Sequence, residues 1–275
     1  MKTEIVITGA NGTIGRLLLD ALSNKDVIGI SRKESNKKSV INCQDFEDIP
    51  TGRIIIHLAE ESDKNRANKL GKAYINESMS NMKKILDKNF KRIIYASSAL
   101  VYSDKILFPR STDEVITPYD YYTEAKILNE ELVLSQNGTV ARISNVIPKE
   151  IKSGVLFDIV NGFLSNSEIT LKDTTPIRDF ICIDDVISCL SLMAEKDYSG
   201  IYNVGSGRVL SILELANIVS EFMYIDRPIV KSKSKKTNVR SSIALDISNT
   251  QRVFDWMPSD NLSNCLKESI KRLME

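Results

Sequence analysis

Histidine is almost absent from this chain: His57 is the only one in 275 residues. That scarcity excludes a histidine-rich metal site, and it leaves no Ser-His-Asp triad unless His57 alone serves it. The four cysteines, Cys43, Cys182, Cys189 and Cys265, form no CxxC pair. Neither zinc-ligand spacing nor a dithiol redox motif is present, so free thiols in a reducing cytosol are expected. An excess of charge is missing as well, with 37 Lys+Arg against 36 Asp+Glu and a formal net charge of +1. So weak an overall field argues against a partner such as nucleic acid or an anionic membrane. No apolar run reaches membrane-helix length, and Ile5-Val6-Ile7 is too short for a signal-peptide core. There is no internal repeat and no low-complexity linker long enough to separate independent domains.

What is there is an ordinary globular composition, 42% hydrophobic and 27% charged, in a chain long enough for one large domain or two small ones. Short β-branched runs alternate with helical stripes. Ile5-Val6-Ile7 is followed by Ile14, Leu17, Leu18, Ala21 and Leu22, at helical spacing. Further strands are expected at Val27–Ile30, Ile54–Ile56, Arg92–Ala96 and Val140–Ile143, with helices at about 63–88 and 121–136. Apolar strands without alternation, each followed by an amphipathic helix, indicate an α/β fold with a doubly wound parallel sheet. After Asn145 the rhythm loosens, then helices return at 184–195, 210–224 and 262–274. The expected layout is a dinucleotide-binding unit over 1–145, with 182–205 returning to it. Residues 146–275 would form mainly a smaller substrate-binding lobe.

The first strand runs into Thr8-Gly9-Ala10-Asn11-Gly12-Thr13-Ile14-Gly15. Glycines here permit positive backbone dihedrals and close approach of the main chain to a pyrophosphate, which the N-terminus of the next helix then faces. The last glycine lets helix and strand pack closely. Gly9 and Gly12 alone could simply make a tight βα turn. The strand before and the helix after supply the context that a dinucleotide site needs. NAD sites usually carry an acidic residue at the end of the second strand, bonding the ribose hydroxyls. This chain has Ser31-Arg32-Lys33 there, with no carboxylate until Glu34. A hydroxyl and two cations suit a 2′-phosphate, so NADP(H) is favoured, with NAD(H) as the other option. The plain alternative is a solvated basic turn.

Tyr122-Thr123-Glu124-Ala125-Lys126 places a phenol and an ammonium four residues apart, on one face of a helix. A free tyrosine titrates at about 10, too high for acid–base work near neutrality, and a neighbouring ammonium lowers that value. In isolation the pair reads equally as a surface contact. Ser97-Ser98 stands at the carboxyl end of an expected parallel strand, where open α/β sheets bind ligands, though serines there also cap turns.

Taken together these stretches resemble the extended short-chain dehydrogenase/reductase family. That family includes UDP-galactose 4-epimerase, dTDP-glucose 4,6-dehydratase and the nucleotide-sugar 4-ketoreductases. The matching segments follow in order along nearly the whole chain: Thr8–Gly15, Ile56–Ala59, Ser97–Tyr102, Tyr122–Lys126, Arg142–Asn145, Arg178–Val186, Tyr202–Gly207 and Trp256–Pro258. The resemblance implies roles. Tyr122 would be the acid/base, Lys126 would hold the nicotinamide ribose and tune Tyr122, and Ser98 would bond the reacting sugar oxygen. Gly9, Gly12 and Gly15 would take the pyrophosphate. Asn11, Thr13, Ile14, Ser31, Arg32, Asp45, Phe46, Leu58, Ala59, Asn76 and Ala96 would complete the cofactor site, with Asp45 near adenine. Asn145, Arg178 and Arg240 would bind the sugar nucleotide, Arg178 through its diphosphate. His57 would be structural or cofactor-lining, and the Lys231–Lys236 run a solvated loop. A homodimer through the 63–88 and 121–136 helices would be expected.

Three departures stand out. Ser103 replaces the glycine usual after Val101-Tyr102, Val146-Ile147-Pro148 replaces a glycine-proline turn, and the stretch between Pro148 and Arg178 is short, about 29 residues. Ala99 and Leu100 stand where the 4,6-dehydratases carry an Asp-Glu pair, which disfavours dehydration. Ser31-Arg32 lacks the acid by which epimerases usually hold NAD. The resemblance thus implies a reductase of a nucleotide-activated 4-keto-6-deoxy sugar, with a 4-epimerase as the alternative and a non-catalytic dinucleotide sensor as a third reading.

Overall fold

Runs of β-branched residues too apolar for a solvent face force strands to be covered on both sides. The computed structural model describes residues 3–103, 109–233 and 241–275. In chain order come β1 (Thr3–Thr8), α1 (Thr13–Ala21), β2 (Val27–Ser31), β3 (Val40–Asn42), β4 (Gly52–His57), α2 (Lys64–Leu70), α3 (Lys72–Leu86), β5 (Arg92–Ser98), α4 (Tyr121–Leu134) and β6 (Thr139–Ile143). There follow β7 (Asn145–Ile147), α5 (Val155–Ser165), β8 (Glu168–Leu171), β9 (Ile177–Cys182), α6 (Ile183–Glu195), β10 (Gly200–Val204) and β11 (Val209–Ser211). The chain closes with α7 (Ile212–Phe222), β12 (Ile229–Ser232), β13 (Ser242–Ile243), α8 (Ser248–Phe254) and α9 (Leu262–Met274).

Among the described residues, seven strands form one sheet in the order β10-β6-β5-β4-β1-β2-β3. Every pairing in it is parallel. Side chains alternate across each strand, and both faces are filled. Ile5 and Ile7 of β1 join an apolar cluster with Leu18 of α1 and Val186 and Leu190 of α6. Val6, between them, joins the opposite cluster with Met82 and Ile85 of α3 and Val133 of α4. Ile54, Ile55 and Ile56 of β4 divide in the same way. This is a doubly wound α/β fold. From β1 the chain adds β2 and β3 on one side, then returns to lay β4 on the other. The loops leaving β1 and β4 therefore diverge and open a crevice at their carboxyl ends.

Later strands build smaller sheets. β9 pairs with β7, β11 and β13, and β8 pairs with β12. Helices α5, α7 and α9 pack there around Phe163, Leu215, Val219, Leu266 and Ile270. β10 returns to the edge of the large sheet beside β6.

Two expectations need correction. The 63–88 stretch is not one helix but two, because Gly71 takes a φ of 62° and its N–H closes on Ala67 O at the end of α2. A left-handed glycine ends a helix at little cost. The start of the lysine run is not a loop: Lys231 and Ser232 lie in β12, in register with β8, and Lys231 pairs with Glu168 at 2.5 Å. Strand pairing there overrides local polarity. Ser234, Lys235, Lys236 and Arg240 lie outside the described residues.

Beneath the carboxyl end of β5, Arg142 of β6 and Glu130 of α4 form an ion pair with side chains only 2% and 3% exposed. Arg142 Nε and Nη2 grip the carboxylate, Nη1 donates to Tyr102 Oη at 3.0 Å, and Ser97 Oγ also donates to Glu130. Removing one partner of such a pair strands a buried charge. Arg142→Ala is expected to lower stability by about 3–5 kcal/mol, whereas Arg142→Met combined with Glu130→Leu recovers most of that loss. Urea unfolding of the two variants reads the difference.

Candidate active site

β1 runs directly into Gly9, whose φ is +72° and where an added Cβ would stand 3.0 Å from the Leu58 carbonyl. At Gly15, in the first turn of α1, a Cβ would fall 2.2 Å from Gly9 O. The turn thus packs backbone on backbone, which only glycine allows. Helix α1 begins with no side-chain cap at Gly12, so its first N–H groups and positive dipole end are left for a ligand. The turn itself floors a crevice of about 380 Å³ walled by Thr8, Gly9, Gly12, Leu58 and the β2 end, and the first residues of α1, Thr13 to Gly15, open onto the cleft beside it. An uncapped helix start behind a bare glycine turn fits a dinucleotide pyrophosphate.

The far side of the crevice is stapled by Asn11. Its Nδ2 donates to Ser31 Oγ at 2.8 Å and to the carbonyls of Lys33 and Glu34 at 3.2 and 3.3 Å. Ser31, Arg32 and Lys33 line the crevice, whereas Glu34, the first carboxylate after the strand, does not. Asp45 and Phe46 close the same wall, and the Asp45 carboxylate is engaged by Lys84 Nζ at 2.7 Å and Glu47 N at 2.9 Å.

A second cleft, of about 470 Å³, shares Gly9, Gly12, Leu58 and Glu60 with the first. Ser98, Tyr122, Lys126 and Asn145 stand in its wall. Helix α4 is started by a capping box: the Asp120 carboxylate accepts from Thr123 N at 2.9 Å, and Thr123 Oγ1 accepts from Asp120 N at 3.2 Å. The helical spacing then turns Tyr122 and Lys126 inward together, with Lys126 Nζ 6.0 Å from the Tyr122 ring centroid. Ser98 ends β5 and its Oγ accepts from Leu100 N at 3.2 Å. Ala99 and Leu100, in the short turn that follows, bring no carboxylate to the cleft.

Glu60 is the residue that the motifs did not mark. Its side chain is 8% exposed and pairs with Lys126, 6% exposed. One carboxylate oxygen receives Lys126 Nζ and, at 2.6 Å, Tyr95 Oη. The other receives Asn129 Nδ2 at 2.6 Å and Ser78 Oγ at 2.8 Å. Burial pushes the Glu60 carboxyl up, but the neighbouring charges and hydrogen bonds, led by the Lys126 ammonium, together outweigh it and hold the group at about 2. Burial pulls Lys126 down, and the Glu60 charge lifts it above its ordinary value. Both are therefore ionised. The one signal for Glu60 in the sequence is a carboxylate just past a parallel strand. Glu61 carries the same signal but turns to Arg66, at 3.2 Å.

His57 lies outside both clefts, at the end of β4. Thr8 Oγ1 accepts from Leu58 N at 3.1 Å and Ala59 N at 3.3 Å, and lies 2.7 Å from His57 Nδ1. With both amides donating to it, the hydroxyl gives its own proton to Nδ1, so the ring proton is on Nε2. Burial holds His57 down at about 4, and it is a neutral fixture of the strand end.

Of the residues expected at the site, Gly9, Asn11, Gly12, Ser31, Arg32, Asp45, Phe46, Leu58 and Ala59 line the first crevice. Thr13, Ile14, Gly15, Ala96, Ser98, Tyr122, Lys126 and Asn145 line the second. Asn76 does not reach either one. The phase of α3 turns Tyr74, Ile75 and Ser78 inward and leaves Asn76 exposed, while the buried amide beside Glu60 is Asn129. Arg178 also lies outside the lining of both clefts. Its guanidinium donates to Ile177 O at 2.8 Å and Ser241 Oγ at 2.7 Å. Among the described residues there is no cluster able to hold a metal ion, and no helix long and apolar enough to cross a membrane.

A crevice at the reversal of strand order, floored by a glycine turn, places the chain in the class of doubly wound dinucleotide-binding proteins. Residues 5–205 match the NAD dependent epimerase/dehydratase family, and the chain belongs to that family. It is thus an oxidoreductase-type enzyme, and the likeness to extended short-chain dehydrogenases/reductases is borne out. The chain is 28% identical to a putative UDP-glucose 4-epimerase of Methanocaldococcus jannaschii, over 98% of this chain and 97% of that one. It is 23% identical to dTDP-4-dehydro-6-deoxyglucose reductase of Escherichia coli, over 99% and 98%. The solved structure of UDP-N-acetylglucosamine 4-epimerase from Methanobrevibacter ruminantium M1, in complex with UDP-N-acetylmuramic acid, has the same fold. Its TM-score is 0.87 at 24% identity, covering 100% of this chain and 99% of that one.

The two depressed groups set an acid limit to stability. Below the ordinary His57 value of 6.5 the unfolded chain takes up a proton that the folded chain refuses until about 4. Below 4.5 the unfolded chain also takes up the Glu60 proton, which the folded chain refuses until about 2. Unfolding free energy is therefore expected to fall steadily as pH drops from 6.5 towards 2, read by urea titrations at each pH. The single-histidine NMR signal is expected to titrate near pH 4, with no inflection between about 5 and 8.

Proposed function

We propose that this enzyme reduces the 4-keto carbon of a nucleotide-activated 4-keto-6-deoxy sugar, with NADPH as the reductant. The observation that carries the reading is the β2 end: Ser31, Arg32 and Lys33 line the cofactor crevice there and Glu34, the first carboxylate after the strand, does not, while the carboxylates elsewhere in the wall, Asp45 and Glu60, are each bound to a lysine. A forked guanidinium and an ammonium suit a 2′-phosphate better than a bare ribose diol. Gly9, Gly12 and Gly15, with Thr13 and Ile14 at the start of α1, receive the pyrophosphate. Asn11 fixes the ribose loop, while Asp45, Phe46, Leu58 and Ala59 flank the adenosine. When bound, the nicotinamide supplies the hydride.

Everything else in the reaction falls to side chains of the second cleft. Ser98 donates a hydrogen bond to the ketone oxygen and polarises it. Tyr122 gives its phenolic proton to that oxygen as the carbonyl carbon is reduced, so a hydroxyl replaces the ketone. Lys126 orients the ribose beside Ala96 and stabilises the phenolate left behind. Asn145 contacts the sugar nucleotide, and Arg178 and Arg240 belong on its diphosphate side in this reading. Ala99 and Leu100 offer no carboxylate to remove a C5 proton, and the two carboxylates in the cleft wall, Glu60 and Glu61, are paired with Lys126 and Arg66, which supports reduction over loss of water.

A second reading, 4-epimerisation of a nucleotide sugar, is supported by the names of the Methanocaldococcus and Methanobrevibacter relatives. An epimerase returns its hydride and shows no net cofactor use. Beside this reading stand a cytosolic setting and a homodimer through α2, α3 and α4, the latter open to light scattering.

The test is loss of NADPH or NADH absorbance across a panel of enzymatically made 4-keto-6-deoxy sugar nucleotides, with products identified by NMR. Stoichiometric NADPH loss supports reduction, whereas interconversion of two epimers without it replaces this reading with the second. Tyr122→Phe is expected to lower turnover by about 10²–10⁴-fold with cofactor binding kept. Arg32→Ala is expected to raise the KM for NADPH roughly tenfold or more and leave that for NADH nearly unchanged.

A further inference from the structure

We propose that Glu60 is a positioning residue of this site: its carboxylate fixes the Lys126 ammonium and offsets that charge at Tyr122, keeping the phenol in its proton-donating form. This rests on the reading of Tyr122 as the proton donor. Glu60 leaves β4 at the mouth shared by both clefts and is gripped from three elements. Lys126 and Asn129 reach it from α4, Ser78 from α3 and Tyr95 from β5. With each oxygen receiving two donors, the carboxylate cannot turn away. An ammonium has three protons. Glu60 takes one and Ala96 O takes another at 2.9 Å, which leaves one to face the cleft.

The surrounding charges leave this pair in control. His57, at the β4 end, is neutral. Tyr95 of β5 and Tyr74 of α3 are kept protonated, chiefly by burial. Glu130 of α4 is matched by Arg142, and Glu61 by Arg66. A lysine acting alone would draw the proton off a neighbouring phenol. With a carboxylate bound to that lysine the net local charge is close to zero, and the phenol keeps its proton for donation. Such an arrangement suits an enzyme that gives protons to a ketone rather than one that takes them from an alcohol.

The experiment is the pH profile of kcat for ketone reduction by the holoenzyme. Removing a buried negative charge weakens the hold on protons at both Lys126 and Tyr122, so the pair releases its first proton at lower pH. In Glu60→Gln the alkaline limb is therefore expected to move down by about one pH unit or more, and in Glu60→Asp, which keeps the charge, to move back towards wild type. A purely structural role lowers activity at all pH values and leaves the limb in place. A limb in Glu60→Gln that coincides with wild type, or lies above it, overturns the proposal.

A readout independent of turnover is the 13Cε NMR signal of Lys126, assigned by its loss in Lys126→Arg. It is expected to titrate above 10.5 in the wild-type chain and lower in Glu60→Gln. Should Glu60→Gln not fold, the wild-type signal decides, and titration at or below 10.5 overturns the proposal. Tyr122→Phe separates the two levels. Retained turnover there sinks the proton-donor reading itself, whereas a dead Tyr122→Phe beside an unmoved Glu60→Gln limb sinks only the role of Glu60.

Discussion

A parallel sheet has to be covered on both faces, and the site exists because of how this chain satisfies that demand. The β-branched runs of β1 and β4 split their side chains between two apolar clusters, so helices must lie on both sides of the sheet. Covering both sides requires the chain to reverse direction across the sheet once, and it does so at β1. At that reversal the loops leaving β1 and β4 part. Thr8, the last residue of β1, ties the two strand ends together through His57, Leu58 and Ala59. The crevice is open but its floor is rigid. The glycine turn, the uncapped start of α1 and the basic β2 end are arranged around that floor.

Helix α4 joins the fold to the chemistry. Within two turns it carries two buried ion pairs, Lys126 with Glu60 and Glu130 with Arg142. Glu130 reaches down to β6 and, with Ser97 and Tyr102, braces the end of β5 where Ser98 stands. Lys126 reaches across to the loop after β4. Each pair is well bonded, since an unpaired charge at such depth is costly. The same helix start that positions Tyr122 is fixed by a capping box, so the reacting face has little freedom to rotate.

Near-neutral overall charge acquires a structural meaning from this arrangement. The anions suited to these clefts are small, and the protein meets them with local devices: backbone N–H groups behind a glycine turn, and cations at one strand end. A large basic field would add little to such a site. Charge at the reacting centre is instead balanced one against one, where the low dielectric makes each group count.

Much of this was readable from residue order. Strand and helix periods, the glycine turn, the Tyr122–Lys126 spacing and the serines after β5 are local patterns, and local patterns survive in a linear string. They were enough to indicate the doubly wound fold, and most of the residues expected from them and from the family resemblance do line a cleft, Asn76 and Arg178 excepted. What the string could not carry were relations set by packing. The break at Gly71 depends on a single left-handed dihedral, and the pairing of β12 with β8 joins residues about sixty positions apart. Asn76 and Asn129 are both asparagines on helices, and only the phase of each helix against the sheet exposes one and buries the other. Glu60 and Glu61 are chemically identical neighbours. Tertiary structure alone sends one to a buried ammonium and the other to a surface arginine, because both lie in the irregular loop after β4, where no local period sets the direction of a side chain.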